Sequence, residues 1–218
     1  MALVKKLVFL IGIIYTLNIN AQVQLSAHQV MENTTREIMA ILADAGEYHQ
    51  AEPERYYQEI HHVLDDLVDF MAFSRGIMGK YASRQRYESL TREGKIKLRG
   101  QVKSLSAVVR VSLVRTYGKG LLAFSGSEVE ILPAAAAEIS SRSTTVVQLI
   151  RGGGERAYEI RYKLRKNSKG KWTVRNLTVE SVNLGQIYRS QFEAALKKYQ
   201  GDIDKVIDNW AVRSAEEL

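Results

Sequence analysis

The chain has 218 residues, 45% hydrophobic and 25% charged, with a formal net charge of +7 and no cysteine. That length and balance describe one globular domain able to bury a sizeable core, not a disordered segment or a membrane bundle. The missing cysteine excludes disulfides, thiolate zinc sites, cysteine nucleophiles and the acylated cysteine of a lipoprotein, so the expected mature protein is soluble and unanchored.

The first twenty-one residues read as a cleaved export signal. Met1 to Lys6 carries two lysines and no acid, Leu7 to Leu17 is a mostly apolar run, and Ala21 offers a small residue for cleavage before Gln22. Eleven apolar residues fall short of the ~20 that span a bilayer. Losing Lys5 and Lys6 takes the formal charge from +7 to +5. Residues 22–218 are then the single mature domain, acting outside the cytoplasm.

From Ser26 to Ala45 the spacing of Val30, Ile38, Ile41 and Leu42 predicts an amphipathic packing helix, stopped at Gly46. Pro53 suits the first turn of a second helix with the stripe Tyr56, Ile60, Val63, Leu64, Leu67 and Val68. On its flank His61, His62, Asp65 and Asp66 stand at i,i+4 spacing, but no further ligand group accompanies them, and local charge pairing is the plainer reading. Asp69 reads as the N-cap of a short apolar turn, with Gly76 and Gly79 allowing tight local turns.

A long helix is predicted from about Tyr87 to Phe124, with Leu98, Val102, Leu105, Val109, Leu113, Tyr117, Leu121 and Phe124 at three- and four-residue steps. Val108, Val111, Val114 and Leu122 widen its apolar face, so two sides need cover: the sheet and a lumen. Beyond Ser125-Gly126-Ser127 the period becomes two. Strands are expected around Val129 to Ile131, at Thr144 to Ile150, at Tyr158 to Arg165 and from Trp172, with Pro133 ending the first and turns at Gly152-Gly153-Gly154 and Asn167 to Gly170.

In the last strand Trp172 and Val174 share one parity, whereas Leu177 and Val179 share the other, which demands a bulge near Arg175-Asn176. A bent strand curls its sheet, and a helix across its mouth (Ile187, Tyr188, Phe192, Ala195, Leu196, Tyr199) encloses space. A final helix, capped by Asp202 and running to about Val212, packs Ile203, Val206, Ile207 and Trp210. The fold class is therefore α+β: a curved antiparallel sheet of about four strands with N- and C-terminal helices around an apolar cavity.

Catalytic signatures are missing. There is no Gly-x-Ser-x-Gly elbow, and all four histidines (His28, His49, His61, His62) lie in the N-terminal quarter, away from any triad. Gly152-Gly153-Gly154 lacks the Gly-Lys-Ser/Thr ending of a phosphate loop and leads into a strand. Arg161, Lys163, Arg165, Lys166, Lys169 and Lys171 form a basic hairpin without the stacking aromatics of a single-strand binder. Such a patch suits anionic headgroups, an acidic partner or plain solvation.

Several blocks occur in order: Val68-Asp69-Phe70, Gly79-Lys80-Tyr81, Leu113-Val114-Arg115-Thr116-Tyr117, Trp172-x-Val174, Val182-Asn183-Leu184, Tyr188-Arg189-Ser190-Gln191-Phe192 and Gly201-Asp202-Ile203-Asp204. Together they resemble the MlaC / toluene-tolerance family of phospholipid-binding proteins, over nearly all of the mature chain. The family more often has aspartate where this chain has Asn176, glycine at Ser181 and serine at Asn183. The resemblance implies a periplasmic phospholipid shuttle that maintains outer-membrane lipid asymmetry. Its implied partners are an outer-membrane lipoprotein complex and an inner-membrane ABC transporter bearing an MCE-domain protein. It implies no cofactor beyond phospholipid cargo, no metal, no nucleic acid and no catalysis.

Two acyl chains of roughly fifteen carbons, at ~0.8 kcal/mol per CH₂, represent on the order of 20 kcal/mol to be hidden from water. The expected tail-lining residues are Val147, Leu149, Tyr158, Ile160, Tyr162, Val174, Val179 and Val182 from the sheet, facing Val109, Leu113, Tyr117, Leu121, Tyr188 and Phe192 from helices. For each of them a plain core role competes with ligand contact. Arg189 is read as structural. Two other classes compete: an isomerase- or cyclase-like enzyme with a cone-shaped pocket, and an adaptor filled by its own side chains. The enzyme wants an in-pocket acid or base, yet Glu128, Glu130 and Glu159 read as outward-facing.

Overall fold

A computed structural model describes residues 24–134, 141–152 and 156–210. The expected export signal, Gly153-Gly154 of the glycine turn and the end of the last helix beyond Trp210 lie outside the described residues. Within them the chain is α+β, with seven α-helices and one antiparallel sheet of five strands in the order β1-β2-β3-β4-β5.

Helix α1 (Ala27–Tyr48) opens with a capping box: Ser26 Oγ accepts from Gln29 N–H, and the Gln29 side chain accepts from Ser26 N–H. It runs through Gly46, where a stop was expected; no side chain approaches that position and one glycine costs a helix only about 1 kcal/mol. Pro53 begins α2 (Pro53–Leu67) as expected. Asp69 caps α3 (Phe70–Met78), accepting from Ala72 N–H at 2.8 Å.

The single helix expected from Tyr87 is two. After the short α4 (Arg84–Glu88), Thr91 Oγ1 accepts from Gly94 N–H and starts α5 (Arg92–Leu121) afresh. The two sides of α5 are covered mainly by other helices, not by sheet and lumen. Val114 packs with Tyr56 and Ile60 of α2, while Val109 joins α3 and α6 (Leu184–Lys198) in the largest core cluster. Leu177 and Val179 reach that cluster from the sheet.

Strands β1 (Glu128–Ile131), β2 (Ser143–Arg151), β3 (Ala157–Lys166) and β4 (Trp172–Val179) form the expected meander, and the two-residue β5 (Val182–Asn183) is a fifth strand. The predicted bulge is present. Lys163 pairs with Asn176 but Leu164 pairs with Val174, so Arg175 is the extra residue. Its guanidinium lies 3.1 Å from Asp69, and Val174 C=O accepts from Asp69 N–H at 3.0 Å. The bulge thus fastens the α2–α3 junction to the sheet. The short α7 (Ile203–Asp208) is capped by Asp202, which accepts from Lys205 N–H at 3.1 Å.

Candidate functional site

Register sorts the strand residues onto two faces. Paired residues of an antiparallel sheet point the same way. Val146 pairs with Tyr162, Gln148 with Ile160 and Ile150 with Tyr158; Tyr162 pairs in turn with Leu177, and Ile160 with Val179. These side chains form the inner face. Val147 pairs with Arg161 and Leu149 with Glu159, which puts both on the outer, charged face. Their expected place beside Tyr158, Ile160 and Tyr162 is therefore corrected by one residue, to Val146, Gln148 and Ile150. In Thr144 to Ile150 apolar residues occupy both parities, so alternation gave no decision, and an inward glutamine was the misleading sign. The fold explains that glutamine: Tyr162 Oη donates to Gln148 Oε1 at 2.7 Å, and Gln148 Nε2 donates to Thr35 Oγ1 of α1 at 2.8 Å. Burial pushes the Tyr162 hydroxyl far above the usual tyrosine range.

The other expected lining residues divide by burial. Val109, Val174, Tyr188 and Phe192 are core. Phe192 lies against Tyr81 and Trp210, with ring centres 6.2 and 6.3 Å away, and Tyr188 stacks on Trp210 at 5.9 Å. Val174 and Tyr162 belong to a second cluster under α1, with Met31, Leu67, Val146, Leu164 and Trp172. Leu113, Leu121, Ile160 and Val179 are half-buried. Tyr117, Tyr158 and Val182 are exposed by 41%, 46% and 49%.

Of these exposed groups Tyr117 lines a crevice between helices, whereas Tyr158 and Val182 stand on the sheet. Val182 pairs with Val179, which pairs with Ile160, so the far end of the inner face carries a row of aliphatic side chains. Tyr158 meets Phe124, just beyond α5, at 5.8 Å between ring centres. Across α5, α6 and α7 lies a crevice of about 130 Å³, lined among others by Ser112, Tyr117, Ile187, Tyr188, Tyr199 and Trp210. Tyr117 and Tyr188 alone of the expected lining residues reach it, and no sheet residue does. Ile187, named with the helix across the mouth but not among the tail-lining residues, is exposed by 38% and lines the crevice with Tyr117 and Tyr188.

Electrostatics around the cleft are structural. Arg189 Nε donates to Gly76 C=O at 2.9 Å, closing the end of α3, as the structural reading of Arg189 expected. Gly79 sits beside it at φ +53°, a backbone that favours glycine. Asn176 Oδ1 accepts from Gly185 N–H at 3.0 Å while its Nδ2 donates to Asn183 Oδ1 at 2.9 Å, and Asn183 caps α6 by accepting from Gln186 N–H. This amide pair fixes the angle at which β5 enters α6. Asp65 pairs with Arg110, whose Nη1 lies 2.9 Å away, and His61 Nδ1 lies 3.4 Å from the same carboxylate. Among the described residues no group of three His, Cys, Asp or Glu is placed to hold a metal ion.

Comparison with known proteins gives a consistent answer. A family model described as MlaC protein matches residues 32–212. A toluene tolerance protein of Pseudomonas putida, ttg2D, is 29% identical over 185 residues, covering 84% of this chain and 79% of that protein. A phospholipid-binding protein from Ralstonia solanacearum, solved in complex with a phospholipid, superposes with a TM-score of 0.67 at 19% identity. The superposition covers 88% of this chain and 98% of that one, and establishes a shared fold. No helix among the described residues is long and apolar enough to cross a membrane.

Proposed function

The chain belongs to the MlaC family, and from that premise we propose that it is a periplasmic phospholipid carrier, exported by a cleaved signal and exchanging cargo between the inner and outer membranes. The observation that supports this most is that Val182, exposed by 49%, continues the half-buried row of Ile160 and Val179 on the inner sheet face, while Tyr117 and Ile187 stand exposed at the helical crevice. Scattered exposed aliphatics are ordinary, but a row of this kind offers a surface to an apolar partner. The Ralstonia protein of the same fold holds a phospholipid.

The crevice is too small for cargo as it stands. About 130 Å³ compares with the ~300–1,000 Å³ of sites that enclose small ligands. Loading a diacyl lipid therefore parts α6 and the far end of β3–β5 from α5. Tails enter along Ile160, Val179 and Val182, while the fully buried Val109, Val174 and Phe192 stay packed and keep the frame. The outer-face residues Val147 and Leu149 take no part.

As a carrier it performs no chemistry. The acids of the sheet serve electrostatic roles: Glu159 lies 2.6 Å from Arg161, and Glu130 lies 2.9 Å from Arg151. The proposed docking partners, which the family resemblance suggests, are an outer-membrane lipoprotein complex and an MCE-domain transporter. The test is transfer of a labelled phospholipid between donor and acceptor vesicles. Catalytic amounts of the protein should accelerate it in proportion to protein concentration; no acceleration, with the protein folded, contradicts the carrier reading.

A further inference from the structure

The N-terminal half of α5 shows a second surface, roughly 30 Å along the helix from Tyr117 at 1.5 Å per residue. Arg92, Ile96, Arg99 and Lys103 follow at four-, three- and four-residue steps, which puts them on one stripe. That stripe faces away from the core side, where Leu98, Val102 and Leu105 are buried. Ile96 is 58% exposed, the most exposed large hydrophobic side chain among the described residues. A Cβ added at Gly100, on the same side, would meet nothing within 4 Å, so the stripe is open at that point.

Charge around Ile96 is mostly positive, with Glu93 the one acid of α5 beside it. Among the described residues Arg92 and Lys103 have no carboxylate partner; Lys95 and Arg99 lie 5.6 and 5.7 Å from the centre of the Tyr87 ring, and Arg99 Nε donates to Lys95 C=O at 3.3 Å. Neighbouring Asp204 is already engaged by Lys97 and Gln101. A lone exposed isoleucine within a ring of cations beside a tyrosine is the composition of an interfacial membrane anchor: an apolar side chain to enter the headgroup layer and cations to meet phosphate. Protein interfaces instead deplete lysine and centre on buried aromatic anchors in pockets, which this convex stripe does not provide.

We propose that this stripe docks the protein onto a bilayer whose surface carries anionic phospholipid. The inference is independent of the carrier reading, because the stripe lies at the other end of α5 from the cleft. Cations near such a surface contribute about 1 kcal/mol each, or roughly fivefold in partitioning.

The experiment is flotation of the protein with vesicles of phosphatidylethanolamine containing one quarter phosphatidylglycerol, and with pure phosphatidylcholine vesicles, at low and high salt. Binding to the anionic vesicles alone, lost at high salt, is expected. Arg99→Gln with Lys103→Gln should weaken it about 30-fold, and Ile96→Gln about fivefold, with melting temperature and co-purified lipid unchanged. No flotation at low salt, equal capture by phosphatidylcholine, or variants that bind like the parent would overturn the proposal. Because co-purified lipid is read separately, failure here leaves the cleft assignment to its own test.

Discussion

Val182→Glu separates fold from cargo more cleanly than any other single change. Val182 is 49% exposed, on a two-residue edge strand paired to Val179, so a glutamate there keeps its carboxylate hydrated. Exposed substitutions of this kind usually alter stability by within about 0.5 kcal/mol. With a tail lying along Ile160, Val179 and Val182 the same carboxylate loses water. Burying an unpaired polar group costs roughly 2–7 kcal/mol and a charge more, so lipid affinity should fall at least about 30-fold. The assay is phospholipid per mole of protein after detergent-free purification, beside a melting curve. Depleted lipid with an unchanged melting temperature is expected. Full occupancy at unchanged stability refutes tail contact at Val182, and a large drop in melting temperature refutes its reading as an exposed edge-strand residue.

Three further outcomes follow. Asn176→Asp sets a carboxylate against Asn183 Oδ1, which already accepts from Gln186 N–H, and should destabilise by about 1–3 kcal/mol. Adding Asn183→Ser supplies a hydroxyl donor and should recover part of that, a coupling of about 0.5–3 kcal/mol visible in a double-mutant denaturation cycle. Gln148→Leu leaves the buried Tyr162 hydroxyl without its acceptor and should cost about 1–3 kcal/mol in denaturant melts, with lipid content unaltered because that side chain serves α1 packing. The Arg115 guanidinium, 2.6 Å from both carboxylate oxygens, holds the Glu54 carboxyl below the usual range. A depressed folded pKa contributes stability above the unfolded value of about 4.3, lost as pH falls through the folded value. Glu54→Gln should therefore flatten melting temperature against pH on the acid side and leave its shape near neutrality alone.

Much of the architecture was legible because local chemistry and tertiary packing agree. Ser26, Asp69 and Asp202 cap the helices they precede, and the change of parity after Val174 located the bulge at Arg175. Where they disagreed, the sequence misled. The run from Tyr87 was read as one helix on apolar steps that begin only at Leu98, and the Thr91 cap upstream of them starts α5 afresh. Val146-Val147 offers an apolar residue to either face, and the side was decided by Gln148 finding both Thr35 and Tyr162. Asn176 and Asn183, separate in the sequence, meet in space as one hydrogen-bonded pair.

The cleft was legible only in part. Periodicity identifies which side chains avoid water, not whether they meet each other or a ligand. Val109 and Phe192 are buried in one core cluster and Val174 in another, while Tyr117, Tyr158 and Val182 stay exposed, and nothing in the periodicity distinguishes the two sets. The crevice of about 130 Å³ likewise depends on how α6 lies against α3 and the sheet, where the Asn176–Asn183 pair and Arg189 hold it from distant positions of the chain.

Native mass spectrometry of the protein purified without detergent tests the central claim most directly. The account predicts a major species heavier than the bare chain by the mass of one diacyl phospholipid, released intact on collisional activation. A single species at the bare mass, from folded protein exposed to membranes during expression, would contradict it.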